Sequence, residues 1–267
     1  GSGDRLRVVP ERGGLVTEWF CNGREVLYFD QERFADPAKS IRGGIPVLFP
    51  ICGNLPDDRL PLACGDFSLK QHGFARDLPW QIALLADQSG VMLSLTDCAD
   101  SRRVYPFGFR IQMELRPLSA SLEVSVTIAN TSVSTGEPMP FSFGLHPYFN
   151  VSDLSLTAVE GLPDHCFNHL EMAEAETPAQ LSRLAQGVDF LTHPGGPVTL
   201  VDEQAGTRLQ LHHHEPMDLT VVWTDPPRAM VCVEPWTGPR QALISGDRRM
   251  ELCAGESTRL CCRYSLS

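Results

Sequence analysis

Hydrophobic and polar positions alternate with a period of two from one end of this chain to the other. Leu122, Val124, Val126 and Ile128 alternate with Glu123, Ser125 and Thr127, and Val91, Leu93 and Leu95 with Met92 and Ser94. Successive side chains of a β-strand point to opposite faces, so this pattern predicts strands that lay one face on a core. Thr220 to Thr224, Ala229 to Val233 and Thr258 to Tyr264 are β-branched, aromatic or apolar runs of strand length. Gly and Pro, 22 and 21 in number, fall largely between such runs, where turns need them.

Helical periodicity is confined to one stretch. Thr177 to Gln186 predicts a short helix with Pro178 near its start, capped by Thr177 at one end and Gly187 at the other. Ser40 to Pro50 carries Gly43-Gly44 and two prolines and reads as a loop or a buried extended segment. Many short strands with no fixed-period repeat predict an all-β fold of large antiparallel sheets with few short helices. Neither a linker nor a composition shift divides the chain, so residues 1–267 read as a single domain. Gly1-Ser2-Gly3, with no Met, reads as the remnant of an expression tag.

Composition narrows the function classes. A hydrophobic content of 42% argues against disorder. No apolar run approaches the roughly 20 residues of a membrane helix, and no signal-peptide pattern opens the chain. A cytoplasmic protein is expected, as a monomer or weak homodimer, without a membrane partner. A net charge of -11 argues against general nucleic-acid binding, which rests on many Lys and Arg contacts. An anionic small substrate stays open wherever a few arginines converge. Nine cysteines without C-x-x-C spacing argue against zinc ribbons and disulfide frameworks, and for reduced, mostly buried thiols.

Two strand ends carry candidate chemistry. In Phe141-Ser-Phe-Gly-Leu-His146, the alternation puts Phe141, Phe143 and Leu145 on one face and Ser142, Gly144 and His146 on the other. The small residues predict open space before His146, and Pro147 ends the strand or puts it at an edge. In Ala229-Met-Val-Cys-Val-Glu234, Val231 and Val233 share the core face, and Cys232 and Glu234 share the opposite one. A carboxylate after such a strand is costly unless it has partners or a task, and burial would raise its pKa towards that of a general base. Trp236 follows, and aromatic rings commonly stack on sugar faces. The structural alternatives are a His bonding a neighbouring loop and a strand-end Glu in an ion pair. Gly73 lets the backbone turn tightly between His72 and Arg76, a donor pair for hydroxyl or phosphate oxygens, and Arg42 beside Gly43-Gly44 is a further such donor. His212-His213-His214-Glu215 suggests a metal, but no third ligand follows at a diagnostic spacing, and no metal site is expected. No G-x-S-x-G elbow is present. A glycosidase would need Glu234 and Asp189 to flank the scissile bond.

Together, Arg42-Gly-Gly-Ile-Pro46, His72-Gly-Phe-Ala-Arg76, Gly144-Leu-His-Pro-Tyr-Phe149 and Cys232-Val-Glu-Pro-Trp-Thr-Gly238 resemble the aldose 1-epimerase (galactose mutarotase-like) family. The motifs occur in the family's order and spread over most of the chain. The resemblance implies a β-supersandwich. It implies an enzyme that interconverts sugar anomers, with His146 as acid, Glu234 as base and His72 bonding ring or hydroxyl oxygens. A family aspartate that binds hydroxyls corresponds to Asp189, with Asp225 as its rival. The implied reaction involves no redox change and therefore no cofactor. Arg42 and Arg76 also resemble the hexose-6-phosphate mutarotase branch, whose arginines grip a phosphate. A non-catalytic carbohydrate-binding module on the same scaffold is the competing reading.

Overall fold

The computed structural model describes residues 4–133 and 137–267. Gly1-Ser2-Gly3, and the tag reading placed on them, lie outside the described residues. Strands dominate. The four α-helices among the described residues are short, the longest being the six residues Ala99–Val104. This is the all-β class that period-two alternation predicts.

Two eight-stranded antiparallel sheets carry the molecule. The first is centred on Ser121–Asn130, which pairs along its length with Phe109–Leu118 on one side and Ser257–Leu266 on the other. Leu122, Val124, Val126 and Ile128 are buried, as their alternation requires, and they pack with Ile111, Met113, Leu115, Leu260 and Tyr264 in the main core. The second sheet is centred on Met230–Trp236, flanked by Leu219–Trp223 and by the short strands Gly144–Leu145 and Tyr148–Asn150. Beyond Leu219–Trp223 lie Asp189–Thr192, His165–Asn168 and Ala173–Glu176. A three-stranded N-terminal sheet and two hairpin-sized ribbons complete the strands.

Met230–Trp236 is buried at all seven positions. Val231 and Val233 face the main core, worth about 1.5–3 kcal/mol each when fully buried. Met230, Cys232 and Trp236 on the other face join two smaller clusters. Both faces of this strand are therefore covered, and the candidate chemistry gathers on the face that carries Cys232 and Glu234.

The stretch expected to be one helix over Thr177 to Gln186 is broken. An α-helix spans Thr177–Leu181, and a separate 3-10 turn spans Leu184–Gln186. Thr177 is the first helical residue and not its cap; the cap position falls to Glu176, whose side chain makes no capping bond. With no side-chain cap and two turns at most, nothing sustains one continuous helix. Ser40 to Pro50 is extended and largely irregular, as expected, with only Val47–Leu48 in the sheet. Of the nine thiols five are buried and four exposed.

Candidate active site

Several segments meet on the outer face of the second sheet. The strand Met230–Trp236 brings Glu234, and the break between Gly144–Leu145 and Tyr148–Asn150 brings His146. The backbone N–H of His146 donates to the Pro46 carbonyl at 2.9 Å, which ties the acid candidate to the Ser40–Pro50 segment. His146 Nε2 lies 3.4 Å from Glu234 Oε1. The imidazole stacks on the Tyr148 ring, with centroids 4.8 Å apart and planes at 12°. Trp223 packs its edge against both rings. Around this pair is a polar cavity of about 220 Å³ lined by Arg42, His72, Arg76, His146, Tyr148, Asp189, Trp223, Glu234, Trp236 and Arg240, among others. A roomier groove of about 630 Å³ lies along Leu6, Val8, Leu84 and Leu118, but its lining offers no such pair.

His72 sits in a strained turn. Its φ is +66° and that of Gly73 is +68°. A Cβ on Gly73 would meet the Phe49 carbonyl oxygen at 2.2 Å, so only glycine fits there. A non-glycine residue held in the left-handed region needs surroundings that over-determine it. Here the His72 N–H donates to the Gly53 carbonyl at 2.7 Å, and the Gly53 N–H donates back to His72 Nδ1 at 3.1 Å. An accepting Nδ1 fixes the neutral tautomer with the proton on Nε2. Burial, with Arg76 and His146 nearby, holds the pKa of His72 well below its usual value, so it stays a neutral donor.

Open space was expected before His146 because Ser142 and Gly144 are small. The cavity does lie before His146, but the room over Gly144 itself is filled. A Cβ at Gly144 would lie 2.6 Å from Trp236 Cδ1 and 3.0 Å from Cys52 Sγ. The indole takes the place of a side chain, and its Nε1–H donates to Glu234 Oε2 at 3.1 Å. Trp236 is 1% exposed, so it supports Glu234 and is not a free stacking face. Trp223, half-buried at the cavity wall beneath the Arg42 guanidinium at 5.5 Å, is the ring open to a ligand.

Asp189 lines the cavity, whereas Asp225 pairs with Arg228 at 2.7 Å and Arg42 at 3.5 Å and is not among the cavity's lining residues. His169 Nδ1 meets Asp189 Oδ1 at 2.7 Å, and Arg240 Nη2 donates to Asp189 Oδ2 at 2.6 Å. Burial alone would raise the pKa of Asp189. The His169 hydrogen bond and the Arg240 charge outweigh it and leave the carboxyl below its usual range. Glu234 has the opposite balance. Burial first and the negative Asp189 second push it well up, against the Trp236 N–H and the Arg240 charge. Burial, with Arg76 next, pushes His146 down to about 3. Arg76 donates to the Gln71 carbonyl at 2.8 Å and has no carboxylate partner among the described residues.

A sequence profile described as aldose 1-epimerase matches residues 3–265. The chain belongs to the aldose 1-epimerase family. It is 35% identical over 161 residues to a protein of Cenchrus ciliaris named "Putative glucose-6-phosphate 1-epimerase", a stretch covering 56% of this chain and 45% of that one. The chain spans about half the length of the curated relatives it matches. The crystal structure of the Slr1438 protein from Synechocystis sp. PCC 6803 superposes with a TM-score of 0.93 at 34% identity, covering 100% of this chain and 92% of that chain. A galactose mutarotase-like protein from Lactobacillus casei superposes with a TM-score of 0.80 at 19% identity, covering 100% and 98%, which shows a shared fold.

Within this aldose 1-epimerase fold, the residues singled out from the sequence converge: Arg42, His72, Arg76, His146, Asp189 and Glu234 all line one cavity. Sequence reasoning missed His169 and Arg240. His169 follows the strand His165–Asn168 with no periodic signal, and Arg240 lies 51 residues from the carboxylate it binds. The one available hint was Arg240 two residues beyond the Cys232-to-Gly238 motif. His212 and His214 line a different groove with Cys261 and Arg263. One group of three metal-ligating side chains clusters among the described residues, namely His146, Cys232 and Glu234. No helix among the described residues is long and apolar enough to cross a membrane.

Proposed function

We propose that the protein is an aldose 1-epimerase, an isomerase that interconverts the α and β anomers of a hexose by acid–base ring opening. The observation that carries this reading is the pair His146 and Glu234, 3.4 Å apart and facing one polar cavity. Glu234 takes the proton of the C1 hydroxyl while His146 gives one to the ring oxygen. The C1–O5 bond breaks, leaving the open-chain aldehyde. Rotation about C1–C2 and closure from the other face, with the proton transfers reversed, yield the other anomer. Each positioned acid or base typically supplies about 10²–10⁴-fold.

The electrostatics add a step. Burial disfavours the charge on both groups, so in the free site a proton is held more tightly by Glu234 than by His146. A bound sugar brings hydroxyl dipoles that replace lost hydration. The proton then crosses to His146, which leaves Glu234 as the base and His146 as the acid. His72 Nε2–H and the fixed Asp189 carboxylate hold the hydroxyls that orient the ring.

A phosphorylated hexose is the second reading, favoured by Arg76. Three arginines (Arg42, Arg76 and Arg240) face two carboxylates (Asp189 and Glu234) in the cavity of a chain whose net charge is -11. Arg240 is spent on Asp189 and Arg42 leans on Asp225, while Arg76 has only a carbonyl. The chain works as one cytoplasmic domain in this reading. Anomer exchange followed by NMR on matched aldoses and aldose 6-phosphates tests both readings. The expected result is faster exchange than in buffer alone, with Arg76→Ala raising KM for the 6-phosphate about tenfold more than for the free sugar. Sugar binding without faster exchange would instead identify a binding module, and equal losses for both sugars would remove the phosphate role.

A further inference from the structure

Behind the wall of the cavity, buried and not itself lining it, sits one reactive group that the acid–base reading leaves idle. Cys232 precedes Glu234 by two residues on the strand Met230–Trp236, so both side chains leave the same face. His146, Cys232 and Glu234 are all buried, and one ligand atom from each lies within 4.8 Å of the others. We propose that these three side chains form an inhibitory site for a thiophilic divalent cation such as Zn²⁺, with the sugar cavity supplying the open fourth position.

The spacing supports it. Tetrahedral zinc with the usual Zn–N, Zn–O and Zn–S lengths sets its ligand atoms roughly 3.3–3.6 Å apart. His146 Nε2 and Glu234 Oε1 stand at 3.4 Å before any adjustment. With all three ligand atoms within 4.8 Å of one another, the thiol needs to approach by no more than about 1.5 Å to complete the triangle. His146 Nδ1 is buried without a hydrogen-bond partner, so the imidazole is held by ring packing against Tyr148, Trp223 and His72 and not by a hydrogen bond at that nitrogen. Three protein ligands and one solvent position form the arrangement of an open zinc site, and an imidazole, thiolate and carboxylate set selects zinc over magnesium or calcium.

Charge sets the strength. The thiolate and Glu234 bring two negative charges to the ion, and Asp189 adds a third nearby. Arg42, Arg76 and Arg240 line the same cavity and oppose it, so affinity falls short of a structural zinc site. Binding sends the Cys232 thiol proton and the proton of the His146–Glu234 pair to solvent. The site then lacks the proton that ring opening must move, and the ion sits where the sugar's C1 end would go. The inhibition rests on the acid–base reading above; the coordination does not.

The test titrates the full chain with Zn²⁺ by equilibrium dialysis and with Co²⁺ by absorption, alongside anomer exchange. One equivalent is expected, with a near-ultraviolet sulfur-to-cobalt band and inhibition that a chelator reverses and saturating sugar opposes. Cys232→Ser should abolish the band and weaken metal binding about tenfold or more, since loss of even an outer-shell partner costs 10–100-fold. Its metal-free exchange should stay within a few-fold of the parent. Cys261 is exposed and shares a groove with His212 and His214, so Cys261→Ser is the control and should keep the band. A band lost only in the control, no band in an active protein, or inhibition indifferent to sugar would overturn the proposal. Should Cys232→Ser fail to fold, Cys232→Ala and the sugar competition in the parent decide it. A band that depends on Cys232 in a protein without exchange activity would uphold the metal site and sink the acid–base reading.

Discussion

Two histidine–carboxylate pairs, Asp189 with His169 and Glu234 with His146, meet at the cavity on strands two apart in the second sheet. They behave in opposite ways. Asp189 receives His169 at 2.7 Å and Arg240 at 2.6 Å, and it is held below the usual carboxylate range. Glu234 receives one indole N–H at 3.1 Å and faces His146 at a looser 3.4 Å, and it is pushed well above that range. Burial opposes the charge in both, more completely at Glu234 than at the partly exposed Asp189. The two also differ in the number of short donors and in a direct ion pair, which Arg240 gives to Asp189 alone. The first pair is a fixed charge suited to holding hydroxyls, and the second is a proton poised to move.

The largest effect that would break this contrast is removal of the mobile carboxylate. Glu234→Gln is expected to lower kcat for anomer exchange by about 10²–10⁴-fold while sugar affinity, read by calorimetry, changes little. Unchanged exchange in that variant would assign the base elsewhere. The fixed carboxylate should respond differently. Arg240→Met keeps the stem packed against Gly53 but removes a charge-assisted hydrogen bond worth about 1.5–3 kcal/mol. The expected outcome is a rise in KM of roughly tenfold or more with a smaller fall in kcat. A selective loss of kcat would show that Asp189 acts in the chemistry and not in binding.

Stability against pH sharpens the contrast through opposite signs. A carboxyl whose folded pKa is raised binds more protons folded than unfolded, so its contribution fades as pH rises from about 4.3 through the folded value. Glu234→Gln should therefore gain stability relative to the parent across that rise, measured by urea unfolding at several pH values. For Asp189 the folded pKa is depressed, and its contribution is present above about 3.9 and is lost as pH falls through the folded value. Asp189→Asn should lose least, relative to the parent, at the acid end. Matching slopes in the two variants would contradict the assigned shifts. The smallest effect belongs to a third pair. His193 lies 2.7 Å from Asp218, but its side chain is 58% exposed and Arg248 also holds that carboxylate. His193→Ala should change stability by no more than about 1 kcal/mol and leave exchange untouched.

Much of this was legible in the sequence, for reasons that also mark where legibility ends. Strand alternation placed Glu234 opposite Val231 and Val233, because a strand's geometry is local. His72 stood out through Gly73, whose backbone demand is local as well. His169 and Arg240 carry no such mark, since their importance comes from where a distant strand end places Asp189. Asp189 entered through the glycosidase alternative and the resemblance, with Asp225 as its rival; in the structure Asp225 pairs with Arg228 and Arg42. Gly144 was misjudged for the same reason. Its smallness is visible in the sequence, but the indole that uses it comes from position 236.

The strand that carries Glu234 and Cys232 is hydrogen-bonded on both edges and buried on both faces. Its backbone amides are therefore expected to exchange hydrogen only when the whole fold opens, which native-state exchange would check. The proposed base is thus mounted on an element expected to yield last, and the loops bearing Arg42 and Arg76 can breathe without it. Heat should switch off the ends of the site in sequence, with grip on the far end of the sugar loosening first and proton transfer persisting until the sheet itself is lost.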